Sequence, residues 1–180
     1  ETLGDMGIPC FTGSQKGYFS TTEIRTILSY LQILDNPIQD IPFAAVLRSP
    51  IGRITDEELA KMRAASEKRH FYDCVQEYRK DGADQALKEK LNYFFCTFER
   101  LRAKYGHTPV HLLIWEILDV TGYGEYAAAL PGGSQRRANL DMLVEKAIAY
   151  EATSYRGLYH FVRYIENLKK YEMDYGEANV

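Results

Sequence analysis

The 180 residues are 46% hydrophobic and 13% aromatic, enough for one buried core and too apolar for a disordered chain. A balance of 22 Lys and Arg against 25 Asp and Glu leaves a net charge of -3. That excludes a dedicated nucleic-acid module with a strong basic field and confines any DNA contact to local patches.

Three cysteines, Cys10, Cys74 and Cys96, are odd in number and widely spaced, with neither a disulfide framework nor zinc-type spacing. They predict a reducing, cytoplasmic setting. The longest apolar runs, Phe43 to Leu47 and Leu112 to Trp115, fall far short of the roughly 18 residues of a membrane span. The chain opens on Glu1 without a signal-peptide pattern, and a helix-forming stretch runs into Tyr175 to Val180, so both ends are expected to be cut from something larger.

Leu3 to Met6 reads as the last turn of a helix closed by Gly7, followed by a short extended segment, Ile8 to Phe11, and a loop through Gly13, Ser14 and Gly17. Ser20-Thr21-Thr22-Glu23 has the form of a capping box, and Ile24, Ile27, Leu28, Leu31 and Leu34 follow at helical spacing until Asn36-Pro37. Asp40 is placed to cap a short helix through Leu47, with Pro42 tolerated in its first turn and Pro50 limiting its length. Thr55-Asp56-Glu57-Glu58 is a second capping box. The helix it opens contains Leu59 and Met62 and keeps register through Phe71, Tyr72, Val75 and Tyr78 until Gly82.

The longest predicted element is Asp84 to Tyr105, with Leu87, Leu91, Phe94, Phe95, Phe98, Leu101 and Tyr105 on one stripe, stopped by Gly106. Thr108 followed by Pro109 predicts a helix start leading Val110 to Val120, closed by Gly122. After the Leu130-Pro131-Gly132-Gly133 break, Ser134 is expected to cap a helix to about Glu151, with Leu140, Leu143, Val144, Ala147 and Ile148 inside. Ser154 begins the last helix, carrying Leu158, Phe161, Val162, Ile165 and Leu168. Because no period-2 alternation follows Ser20, the expected fold class is all-α, a multi-helix bundle-like domain with any strand confined to the N-terminal segment.

Several spaced strings carry a resemblance. Gly7-Ile8-Pro9 and Phe19-Ser20-Thr21-Thr22-Glu23-Ile24 are followed by Asp35-Asn36-Pro37, Asp40-Ile41-Pro42 and Ala45-Val46-Leu47-Arg48-Ser49-Pro50. Gln135-Arg136-Arg137-Ala138-Asn139-Leu140 and Ser154-Tyr155-Arg156-Gly157-Leu158 extend the series. In this order they resemble the helical insertion of the AddA family of bacterial ATP-dependent helicase/nucleases, within the UvrD/Rep-like superfamily 1A DNA helicases. The resemblance implies that residues 1–19 are the tail of the second RecA-like helicase domain, that 20–176 form the accessory 2B domain, and that 177–180 begin the return strand toward motif V. It implies a parent that is an ATP-dependent 3'-5' DNA helicase and exonuclease using ATP and Mg, acting at the nucleoid in double-strand break repair beside an AddB-like second nuclease subunit. The junctions near Ser20 and Gly176 are then expected within about 20 Å of each other, since an inserted domain leaves and rejoins its host at one place.

The chain carries no G-x-x-x-x-G-K-[ST] loop for ATP, and Gly13-Ser14-Gln15-Lys16-Gly17 has the wrong spacing for one. No catalytic residue, cofactor site or metal site is therefore expected within it. Two arginine-bearing loops are candidate DNA contacts. Arg48, Gly52 and Arg53 occupy the place where related helicases grip duplex phosphates, although the helix that follows opens on Asp56-Glu57-Glu58, which repels anions. Ser134, Arg136 and Arg137, after Gly132-Gly133, combine free helix N–H groups with two cations and no acid in the first turn, and are physically the better anion site. The competing readings are a capped interhelical turn for the first loop and a plain cap with inward ion pairs for the second.

His107 and His111 are four apart, but the Thr108-Pro109 helix start separates them and argues against a shared metal, with His70 and His160 remote. Trp115 and the Phe94, Phe95 and Phe98 stripe are expected in the core, and Cys74 and Cys96 as buried thiols. The function expected is thus a non-catalytic accessory domain that guides duplex DNA, weakly and without sequence choice, and regulates unwinding. The alternative is a helical interaction domain packed on the partner nuclease subunit without DNA contact.

Overall fold

The computed structural model describes residues 17–153 and 157–170, and every regular element among them is helical. A 3-10 turn, Tyr18–Ser20, leads into α1 (Thr22–Asp35), α2 (Asp40–Arg48), α3 (Asp56–Ala64), α4 (Phe71–Asp81) and α5 (Gln85–Lys104). Then follow α6 (Val110–Thr121), α7 (Tyr123–Ala129), α8 (Gly133–Glu151) and α9 (Leu158–Lys170). The all-α class expected from periodicity is what the chain adopts. The expected Leu3–Met6 turn, the extended segment Ile8–Phe11, the Ser154 helix start and the Gly176 junction lie outside the described residues.

The core is organised around α1, whose Ile24, Ile27, Leu28, Tyr30, Leu31, Ile33 and Leu34 are all buried. A helix apolar on nearly every side must be surrounded. Here α2, α5, α6, α8 and α9 all pack on it. Phe94, Phe95 and Phe98 of α5 turn toward it and meet Tyr30 and Phe43 with ring centroids 5.3 to 6.4 Å apart, mostly edge to face. Trp115 departs from its expected place in that core: it is 40% exposed on α6. Ile148 is likewise half exposed, and Cys96 is exposed while Cys74 is buried.

Local chemistry sets most helix starts, and long-range partners override it at others. The Thr55 capping box forms: Glu58 N–H donates to Thr55 Oγ1 at 3.2 Å and Thr55 N–H to Glu58 Oε2 at 2.8 Å. Asp84 caps α5 by accepting from Leu87 N–H at 3.2 Å. The box expected at Ser20 does not form, because α1 begins at Thr22 and the Ser20 hydroxyl turns back to donate to Gly17 O at 2.6 Å. Glu23 is drawn to side-chain donors on α8 instead. Asp40 sits inside α2 and accepts from Phe71 N–H at 2.8 Å, so it caps α4 rather than its own helix. That cap also explains why the expected continuous helix from Thr55 to Gly82 breaks between Ala64 and Phe71, a polar stretch with no buried apolar side chain to hold it helical.

At α6 the first-turn N–H of Val110 is satisfied at 2.6 Å by Glu151 from the end of α8, while Thr108 Oγ1 donates to Lys104 O. Ser134, expected as a cap, makes no capping bond at the start of α8. Gly122 closes α6 in the left-handed conformation (φ 64), where a side chain would be strained, and opens α7 at once. This extra helix has no clear periodic signal in the sequence.

Candidate nucleic-acid interface

The turn between α2 and α3 is pinned from inside and charged outside. Ile54 N–H donates to Leu47 O at 3.0 Å and Arg53 N–H to Ser49 O at 2.8 Å, while the Ile51 and Ile54 side chains are buried beneath. Gly52 lies against Leu47 so closely that a Cβ there would come within 2.2 Å of the Leu47 carbonyl oxygen. Arg53 adopts a left-handed backbone (φ 56), costly for a residue with a side chain, and its Nε donates to Pro50 O at 3.3 Å. Arg48 meets Asp56 at two points, Nε to Oδ1 at 2.6 Å and Nη2 to Oδ2 at 3.0 Å. Both side chains are about two-thirds exposed, so the pair contributes at most about 1 kcal/mol, yet it neutralises Arg48.

Two depressions of about 450 Å³ each flank the Arg48–Pro50 ridge. One is walled by Arg53, Thr121, Tyr123 and Tyr126, the other by Thr22, Arg25, Thr26 and Ser29 of α1. The first exists only because α7 brings Tyr123 and Tyr126 there, their rings stacked 6.1 Å apart. Tyr123 joins the two walls, since its hydroxyl meets the Thr26 side chain, and burial pushes its phenol pKa up. Sequence alone does not single out Arg25 or the α7 tyrosines. The i to i+4 pair Tyr123 and Ala127 is the only periodic sign of α7, too short to distinguish from a loop.

At the second candidate, Arg136 turns inward. Its Nη1 lies 2.8 Å from Glu23 Oε2, and its Nε donates to Pro131 O at 3.2 Å. Glu23 is only 3% exposed and also accepts from Asn139 Nδ2 at 2.7 Å. Tyr18 donates to Asn139 O at 2.9 Å and Gln135 to Asn139 Oδ1 at 3.1 Å, so the network ties the residues before α1 to α8. Arg137 faces out: its guanidinium lies 5.6 Å from the centre of the Trp115 ring, and Nε is 3.3 Å from Asp141 Oδ1. The structure therefore groups Arg48, Gly52 and Arg53 in one turn, but it parts Arg136 from Arg137 and leaves Ser134 without a capping role.

Other singled-out residues have local partners. His111 Nδ1 contacts Glu151 Oε2, and no group of three or more His, Cys, Asp or Glu among the described residues is arranged to hold a metal. Arg63 Nη1 lies 3.0 Å from Cys74 Sγ and donates to Lys68 O at 2.6 Å. Arg63 thus bridges the break between α3 and α4. No described helix is long and apolar enough to cross a membrane.

Comparison with known proteins gives these surfaces a setting. The chain is 39% identical over 99% of its length to a protein of Lachnoclostridium phytofermentans, 41% over its full length to one of Clostridium kluyveri, and 42% over its full length to one of Thermoanaerobacter sp. X514. Each of the three is named as the AddA-type subunit of an ATP-dependent helicase/nuclease. The chain spans only 16%, 15% and 14% of their respective lengths. Residues 1–176 match the family model of the UvrD-like helicase C-terminal domain, and the chain belongs to that family.

Proposed function

We propose that this chain is the accessory 2B-type domain of an ATP-dependent DNA helicase/nuclease that processes double-strand breaks for recombinational repair, and that it guides duplex DNA toward the motor. In this reading residues 20–176 form the inserted helical body and 1–19 belong to the RecA-like host. ATP, Mg and the nuclease carboxylates act elsewhere in the longer protein, which works with an AddB-like subunit. The observation that carries DNA contact is the Arg48–Ile54 turn, a rigid ridge with outward arginines and buried isoleucines. Backbone grip of this kind positions a duplex without reading its sequence.

A second reading has its own observation. Ile41 is 84% exposed beside exposed Ile38, with Pro37 and Pro42 around them, a small apolar knob suited to packing on a partner subunit. Salt separates the two, because phosphate binding weakens steeply as salt rises and apolar packing does not. Fluorescence anisotropy of a labelled mixed-sequence duplex, titrated with the chain between about 50 and 200 mM salt, is expected to show binding that falls along a linear log-log slope. No duplex binding at the lowest salt would remove the guiding role and leave the partner-packing reading.

A further inference from the structure

The two depressions beside the Arg48–Pro50 ridge share a property that their volumes do not show: no Asp or Glu lines either one. In a chain with more acids than bases, that makes the ridge and its flanks a locally cationic strip. Its cations are not equivalent. Arg48 is already held by Asp56, and a phosphate reaching it would have to displace a carboxylate. Arg25 and Arg53 are exposed and, among the described residues, have no carboxylate partner. They stand on opposite sides of the ridge, Arg25 with Thr22, Thr26 and Ser29 beside it, Arg53 with Tyr126.

Both supports are stiff. Arg25 projects from α1, whose other faces are buried, and Arg53 is fixed by the left-handed turn and its bond to Pro50 O. Strain of this kind is kept where a side chain must point in a set direction. Resting on the duplex-guiding reading, we propose that a DNA backbone crosses the Arg48–Pro50 ridge, with Arg25 binding a phosphate on one side and Arg53 a phosphate on the other. The α1 hydroxyls and the Tyr126 hydroxyl complete the two cradles. Arg48 is a positioning residue whose pair with Asp56 holds the ridge against the start of α3.

Counterion release makes the assignment measurable, since each phosphate neutralised by an unpaired cation contributes about 0.9 to the salt slope on B-DNA. In the duplex titration, Arg25→Ala and Arg53→Ala are each expected to weaken binding several-fold and to lower the slope by about 0.9. Arg25→Lys should restore the slope, because a point charge suffices for it. The charge-neutral double variant Arg48→Ala with Asp56→Asn should leave the slope at the wild-type value. If the wild type binds and neither Arg25→Ala nor Arg53→Ala changes affinity or slope, this assignment falls and duplex guiding stands. If the double variant loses as much slope as Arg53→Ala, Arg48 binds phosphate and its positioning role is wrong. A wild type that binds no duplex overturns both levels together, and tighter binding to single strands of the same length would overturn the duplex geometry.

Discussion

Glu23 and Arg136 stand 113 positions apart in the chain and 2.8 Å apart in space. A carboxylate buried this fully costs several kcal/mol unless charge and hydrogen bonds answer it, and Arg136 with Asn139 supplies both. Removing Arg136 therefore does more to the fold than to any ligand. Arg136→Ala is expected to cost about 2–3 kcal/mol, somewhat under the usual figure for a broken buried pair because Arg136 itself is partly exposed. Glu23→Gln with Arg136→Met should recover much of that loss, since it removes the stranded charge. Urea denaturation checks it, and a loss within about 0.5 kcal/mol for Arg136→Ala, the range of ordinary surface changes, would show that the network carries no such charge. Loss of DNA binding in an Arg136 variant has to be read against this stability effect.

Among the elements, α3 shows most directly how a local signal becomes stability. The Thr55 capping box fixes its start, and Lys90 of α5 reaches Glu58 Oε1 at 2.6 Å, so one carboxyl closes a helix end and ties it to the longest helix. Burial alone would raise the Glu58 pKa, but the hydrogen bonds from Lys90 and Thr55 outweigh it and hold the carboxyl below its ordinary value of 4.5. Asp84 is depressed in the same direction, first by its hydrogen bond from Lys61. A depressed carboxyl stabilises the fold above its unfolded pKa and loses that contribution as pH falls through the folded value. The melting temperature should thus decline as pH drops below 4.5. The Glu58→Gln chain should start lower at neutral pH and decline less steeply across that window. Parallel slopes for the two proteins from pH 7 to 3 would show that Glu58 is not a source of the acid sensitivity.

The same helix shows what sequence could and could not reveal. The Thr55 and Asp84 caps and the Phe94, Phe95 and Phe98 stripe were legible because each involves residues within a few positions of one another. Ser20, Asp40 and Thr108 misled because their expected roles were displaced by partners far along the chain: Glu23 by Arg136 and Asn139, Asp40 by Phe71, and the α6 start by Glu151. Both candidate arginine loops were visible as sequence. Which of their charges face outward depends on Asp56 and Glu23, and Arg25 became a candidate only once α2 folded back beside α1.

At the scale of the whole molecule, the position of α1 bears on how such a domain is joined to its host. It is the first long helix after the 3-10 turn, it lies at the centre of the core, and it packs against α9, with Gln32 Nε2 donating to Glu166 Oε1 at 3.2 Å. The first and last helices are thus neighbours, an arrangement that favours insertion into a single loop of another domain. Tyr18 strengthens the first connection by anchoring to α8 through Asn139, which leaves little freedom between the turn and the body. If the insertion reading is right, the two junctions near Ser20 and Gly176 must lie within about 20 Å, a small part of the extended reach of the chain between them. Spin labels on Cys introduced at those two positions, with the native cysteines replaced, would measure that separation in solution by pulsed dipolar spectroscopy. A narrow distribution centred near or below about 20 Å is expected if residues 20–176 form one inserted body. A distribution centred at twice that distance would place the junctions at opposite ends of the helical body, and the domain would then have to join its host in tandem instead of as a splice.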